Sequence, residues 1–165
     1  PDDMTHVPDG PWYYQQLQLG SKYRLPDIQA ALGLSQLDRI DLYVAARHRI
    51  AAEYNKQLAD LPLILPTSNT DGYSGLHLYV VRLDPAQTRR SRLDVFNELR
   101  ENGIGVNLHY IPVHLQPYYR SMGFANGDFS NAENYYEQAI TIPMFPGLTA
   151  ENIEYVVTSM RQALN

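Results

Sequence analysis

Apolar side chains recur at Ile28, Ala31, Leu32, Leu37, Ile40, Val44, Ala51, Tyr54 and Leu58. Their spacings of three and four keep them on one side of a helix. Pro26 suits the first turn, where its missing N–H is not needed, and Asp27 suits the positive end of the helix dipole. The pattern predicts one helix over 26–60, stopped by Pro62. At 1.5 Å per residue it would reach roughly 50 Å, longer than a small domain is wide. A helix of that length bridges two domains or two subunits. Gly33 lies inside it, at a cost of about 1 kcal/mol relative to Ala. Either another backbone approaches closely there, or Gly33 is a tolerated weak point.

Beyond this helix the pattern changes period. A short strand is predicted over 63–65, a polar loop over 67–75 and a β-rich run over 76–83. Thr88 can cap a helix that turns Leu93, Phe96 and Leu99 to one face and ends at Gly103. Ile104, Val106 and Leu108 alternate as a strand leading into His109. Ser130 and Glu133 have capping-box spacing for a helix through Gln138. Ala139–Ile142 reads as a short strand. Thr149 caps a last helix with Ile153, Val156, Val157, Met160 and Leu164 inward. Strands separated by helices at short spacing predict an α+β domain over 61–165, a small sheet with helices mainly on one face. Residues 1–25, broken by Pro1, Pro8, Gly10, Pro11 and Gly20, predict a tail or connection belonging to a neighbouring domain, not a packed element.

Composition narrows the functional classes. The 165 residues suffice for one domain with a real core, and 44% apolar against 19% charged residues describes a globular chain. A net charge of −5 argues against nucleic acid as a partner, which needs a basic face. No apolar run has the length of a membrane span. The absence of cysteine excludes disulfides and thiolate metal sites, and fits a cytoplasmic location. Pro1 in place of Met points to a fragment of a longer protein. Thirteen tyrosines against four phenylalanines suit half-wet walls such as sugar pockets and interfaces.

The common catalytic signatures are missing. No pair among His6, His48, His77, His109 and His114 has zinc-helix spacing, and no nucleophile elbow, dinucleotide loop or phosphate loop occurs. Only two lysines are present, Lys22 and Lys56, and neither position suits a Schiff base, which needs a lysine able to lose its proton. Lys22 and Arg24 together read as an anion-binding loop or as a solvated basic turn.

Three stretches carry a resemblance. The first is Gly10-Pro11-Trp12-Tyr13-Tyr14-Gln15-Gln16, with Leu19-Gly20-Ser21-Lys22-Tyr23-Arg24-Leu25-Pro26-Asp27-Ile28-Gln29-Ala30-Ala31-Leu32-Gly33-Leu34-Ser35-Gln36-Leu37 after it. The second is Gly103-Ile104-Gly105-Val106-Asn107-Leu108-His109-Tyr110-Ile111-Pro112-Val113-His114-Leu115-Gln116-Pro117-Tyr118-Tyr119. The third is Ala132-Glu133 with Ile142-Pro143-Met144-Phe145-Pro146-Gly147-Leu148-Thr149. Together they resemble the DegT/DnrJ/EryC1/StrS sugar aminotransferases. The Trp-Tyr-Tyr stretch is most similar to the branch making UDP-4-amino-4,6-dideoxy-N-acetyl-altrosamine, on the route to pseudaminic acid.

The resemblance implies the C-terminal small domain of a fold-type-I aminotransferase dependent on pyridoxal 5′-phosphate (PLP). It implies a small, mostly antiparallel sheet, a long inter-domain helix and a homodimer that builds each active site from two subunits. The catalytic lysine of the family would lie upstream, so no catalytic residue is expected in this chain, and the chain alone is expected to be inactive. The family loop Gly-x-Asn-x-Arg reads Gly20-Ser21-Lys22-Tyr23-Arg24 here, so the resemblance assigns Lys22 and Arg24 to the cofactor phosphate, with Lys replacing Asn. It assigns His109, Tyr110, His114, Gln116, Tyr118 and Tyr119 to the nucleotide-sugar. The implied reaction moves an amino group from glutamate to C4 of a UDP-linked 4-keto-6-deoxy-N-acetylhexosamine. Two rivals are a stand-alone α+β binding or dimerisation module without PLP, and a sugar dehydratase of the same family.

Overall fold

A computed structural model describes residues 4–67 and 71–165. Residues 68–70 of the expected polar loop, and the first three residues of the expected tail, lie outside the described residues. The elements run α1 (Asp27–Leu37), α2 (Ile40–Gln57), β1 (Leu63–Ile64), β2 (Tyr79–Leu83), α3 (Arg92–Glu101), a 3-10 turn (Val113–Leu115), α4 (Pro117–Arg120), α5 (Ser130–Gln138), β3 (Ala139–Ile142) and α6 (Ala150–Ala163).

The sheet is antiparallel, ordered β1-β2-β3, with Leu63 opposite Leu83 and Val81 opposite Ile140. Alternation along β2 puts Tyr79, Val81 and Leu83 into the core and leaves Val80 and Arg82 half-buried on the other face. Tyr54 and Leu58 of α2, Val95, Phe96 and Leu99 of α3, and Ile153, Val156 and Met160 of α6 complete that core. All four residues of β3 are buried. Its outer edge is closed by a bridge in which Asn107 and Thr141 exchange both backbone hydrogen bonds, at 3.1 and 2.8 Å. The bridge takes up the N–H and C=O that Thr141 turns to that edge. α5 meets the second face, where Arg82 donates to Gln138 Oε1 at 3.1 Å.

The long helix of the sequence pattern is two helices. α1 and α2 separate at Asp38–Arg39, where the Arg39 N–H bonds to Gln36 three residues back. Ser35 Oγ donates to the Leu32 carbonyl inside α1, a bond that loosens helices, and Asp38 and Asp41 favour a fresh N-terminus at α2. α1 buries no residue, so packing does not hold the two helices in line. Ile28, Leu32 and Leu37 are all exposed. A Cβ at Gly33 would meet nothing within 4 Å, so among the described residues no backbone of another element approaches it.

Four further expectations change. Ser91, not Thr88, caps α3, its Oγ accepting from the Asp94 N–H, while Thr88 accepts from Arg90 in a local turn. Leu93 is exposed, and Val95 takes the inward position beside Phe96. The extended run at 104–108 buries Ile104, Val106 and Leu108 as the alternation requires, but pairs only at the Asn107–Thr141 bridge. Ser130 is the first residue of α5 and makes no cap; Glu133 instead accepts from Gly127 and Phe129 upstream of the helix. Other local signals hold. Thr149 forms a capping box with Asn152. Gly103 takes φ +73° after α3, where the Ile104 N–H reaches the Leu99 carbonyl and the Gly103 N–H reaches Arg100, the paired bonds of a Schellman ending.

The expected tail is packed in part. Trp12 is buried in the core, edge-on to Phe96 at 4.7 Å, and its Nε1 donates to Tyr136 Oη at 3.0 Å. Tyr136 donates onward to Asp9 at 2.6 Å. The Arg92 guanidinium lies 4.4 Å from the Trp12 ring and 4.3 Å from the Tyr136 ring, and also donates to the Tyr136 carbonyl. Burial, and then the bond to Asp9, push the Tyr136 phenol up to about 12. Proline and glycine punctuation signals irregular backbone but does not decide whether its side chains are buried.

Candidate functional site

The packed segment 12–16 and the segment 109–119 meet side by side. Gln16 N–H donates to Gln116 Oε1 at 2.8 Å, and Tyr118 N–H donates to the Gln16 carbonyl at 3.0 Å. Tyr14, Gln16, Tyr110, Ile111, Val113 and Gln116 then line a cleft of about 250 Å³. Tyr14 and Tyr110 are both exposed, while Gln116 is only 4% exposed. Two phenols and a buried amide beside two aliphatic side chains can meet a ligand that is apolar on one face and hydroxylated at its edges.

Of the residues assigned to the nucleotide-sugar, Tyr110 and Gln116 stand in this cleft. His109 adjoins it, edge-on to the Tyr110 ring at 4.6 Å, with Nδ1 2.8 Å from Thr141 Oγ1. Burial, and then the charge of His77, hold its imidazole below the ordinary histidine range. Tyr118 and Tyr119 are half-buried and edge-on to each other at 5.2 Å.

His114 is not in this cleft. It is buried against Phe129, with Nε2 2.7 Å from Glu133 Oε1. Lys22 and Arg24 are exposed and, among the described residues, make no hydrogen bond or ion pair. Among the described residues nothing joins these two cations to the tyrosine cleft. Two unpartnered cations spaced two residues apart remain free to meet a phosphate. Lys56 is exposed on α2, away from the cleft-lining residues.

Sequence reading missed Tyr14, Gln16 and Thr141 as neighbours of this region. The tyrosine-rich run at 13–14 was the available signal for Tyr14. Contacts across about a hundred positions of sequence left none for Gln16. Among the described residues no cluster of His, Asp and Glu can hold a metal, and no helix is long and apolar enough to cross a membrane.

Glu133 ties His114 to the turn before α5, outside the cleft. The Gly127 N–H, then His114, then the Phe129 N–H hold its carboxyl below the usual carboxylate range. A depressed folded pKa gives stability that is present above the unfolded value of about 4.3 and lost as pH falls through the folded one. The unfolding midpoint should therefore drop on acidification below about pH 4.3. Glu133→Gln should remove part of that drop. Equal acid slopes for both proteins in urea titrations would show that Glu133 carries none of it.

The family model for the DegT/DnrJ/EryC1/StrS aminotransferase family matches residues 5–161. Spore coat polysaccharide biosynthesis protein SpsC of Bacillus subtilis is 36% identical over 156 residues, covering 93% of this chain and 40% of its own length. Spr1654 of Streptococcus pneumoniae in its PLP-form superposes with a TM-score of 0.76 at 30% identity, covering 93% of this chain and 40% of that one. Helicobacter pylori PseC, an aminotransferase involved in the biosynthesis of pseudoaminic acid, shares the fold with a TM-score of 0.76 at 23% identity, covering 96% of this chain and 42% of that one. The chain thus spans about two fifths of the length of its relatives.

Proposed function

The chain belongs to the DegT/DnrJ/EryC1/StrS aminotransferase family, and from that premise we propose that it is the C-terminal part of a PLP-dependent nucleotide-sugar aminotransferase. The transfer runs from glutamate to C4 of a UDP-linked 4-keto-6-deoxy-N-acetylhexosamine, in a homodimer. PLP supplies such a protein with the electron sink for amino-group transfer.

This chain's residues do three things in that reading. Lys22 and Arg24 reach the cofactor phosphate of the partner subunit; their freedom from partners within the chain fits that use. Tyr14, Tyr110 and Gln116 wall the sugar, with His109 beside them. The exposed apolar face of α1 packs against the remainder of the dimer. The observation that carries the reading is the family match across residues 5–161, joined to a cleft built from the very segments that hold its motifs. The exposed face of α1 also suits a second reading, a dimerisation module without PLP.

Two experiments test the proposal. The purified chain, given PLP and borohydride, should show no stoichiometric adduct on Lys22 or Lys56; a full adduct would move the chemistry into this chain. A longer polypeptide that supplies the family's lysine should aminate the keto-sugar from glutamate, and failure there would favour the module. In that active form Lys22→Ala should weaken PLP retention by about tenfold, the size of one charge-assisted hydrogen bond. Unchanged retention after dialysis would remove Lys22 from the phosphate.

A further inference from the structure

His109 is the one member of the proposed sugar region whose ring is fixed by a buried side chain of the sheet. Thr141 is 5% exposed, its N–H and C=O both engage Asn107, and β2 flanks it on the other side. Its Oγ1 lies 2.8 Å from His109 Nδ1, and among the described residues the hydroxyl has no other partner. A buried hydroxyl proton that is not donated carries the full cost of desolvation. Among the described residues the one acceptor offered to it is Nδ1, and Nδ1 can accept only if it carries no proton. The ring proton then resides on Nε2. That nitrogen has no partner among the described residues and is not among the buried nitrogens left unsatisfied.

We propose that Thr141 is a positioning residue: it holds His109 as the neutral Nε2–H form and so presents a fixed hydrogen-bond donor to an acceptor oxygen of the substrate. In this form His109 cannot serve as a base through Nε2. It recognises a carbonyl, hydroxyl or phosphate oxygen, which a nucleotide-sugar carries in number. The lowered protonation range of His109 agrees, since burial and His77 keep the ring neutral. The inference rests on placing His109 at the substrate, as the proposed function does, but the tautomer itself is a property of the free chain.

The test is a long-range proton–nitrogen correlation spectrum of the histidine-labelled chain, without ligand, at about pH 8, where histidine is neutral. His109 should show one form, with a protonated Nε2 and an unprotonated Nδ1. Thr141→Val should release it into exchange between both forms, and Thr141→Ser, which keeps the hydroxyl, should restore the single form. The His114 signal, set by Glu133, reports whether each variant is folded. An Nδ1–H form in the wild-type chain overturns the proposal whatever the variants do. So does a wild-type pattern in folded Thr141→Val. Because no ligand is present, these outcomes are separate from failure of the aminotransferase reading, which the amination assay decides.

Discussion

Trp12→Ala should destabilise the chain by about 3–5 kcal/mol, the usual cost of removing a buried tryptophan. Trp12 is 8% exposed, packs edge-on against Phe96, and gives its indole proton to Tyr136. Its loss opens a cavity in the core and removes one wall of the stack that holds the Arg92 guanidinium. It also frees the segment that leads to Tyr14 and Gln16. The expected result is a large drop in the urea midpoint, read by circular dichroism, with new proteolytic cleavage between residues 9 and 17. A loss below about 1 kcal/mol, the range of many surface changes, would mean that this segment does not belong to the core. Trp12 is the sole tryptophan, so its fluorescence in the unmutated chain reports the same event directly.

Gly10→Ala should cost about 1–3 kcal/mol, the range for overpacking. A Cβ built at Gly10 lies 2.4 Å from two carbons of the Trp12 ring and 2.7 Å from a third. An exposed side chain could swing aside, but this ring is fixed by Phe96, Tyr136 and Arg92. The cost should nearly vanish in a Trp12→Ala background, because the clash disappears with the ring. A double-mutant cycle measures that coupling, and additive effects would place the strain elsewhere. Gly10 is thus needed for space rather than for an unusual backbone angle.

The two changes converge on residues 9–16, where sequence and structure diverge most. Proline and glycine made these residues look like a free connection, and the burial of Trp12 comes from partners eighty or more positions away. Separation along the chain also hid the Gln16–Gln116 pairing, 100 positions apart, and the Thr141–His109 bond, 32 apart. The break after α1 had weaker local signals, in Ser35 and Asp38, which the apolar periodicity outweighed. Periodicity counts apolar positions and cannot tell whether anything covers them.

Local chemistry, by contrast, was readable at several points that one or two turns of chain decide, though not at Thr88 or Ser130, where the expected caps do not form. Thr149 with Asn152 starts α6, and the five inward positions expected there are all buried. Gly103 ends α3 because only a residue without Cβ takes its φ of +73° at no steric cost. The alternation at β2 placed Tyr79, Val81 and Leu83 inward. Family motifs, also short-range, pointed to the 109–119 segment that lines part of the cleft. They did not separate residues by role: Tyr110 and Gln116 face the cleft, while His114 turns inward to Glu133.

The sequence by itself therefore determined the α+β class, most of the elements, the cap of α6, the ending of α3 and the family. Those follow from hydrogen bonds and packing periods that close within a few residues. Tertiary structure decided which side chains share a cleft, which histidine is buried, and that Trp12 completes the core. Each of these depends on contacts between distant segments, which form only when the whole sheet and its helices are assembled.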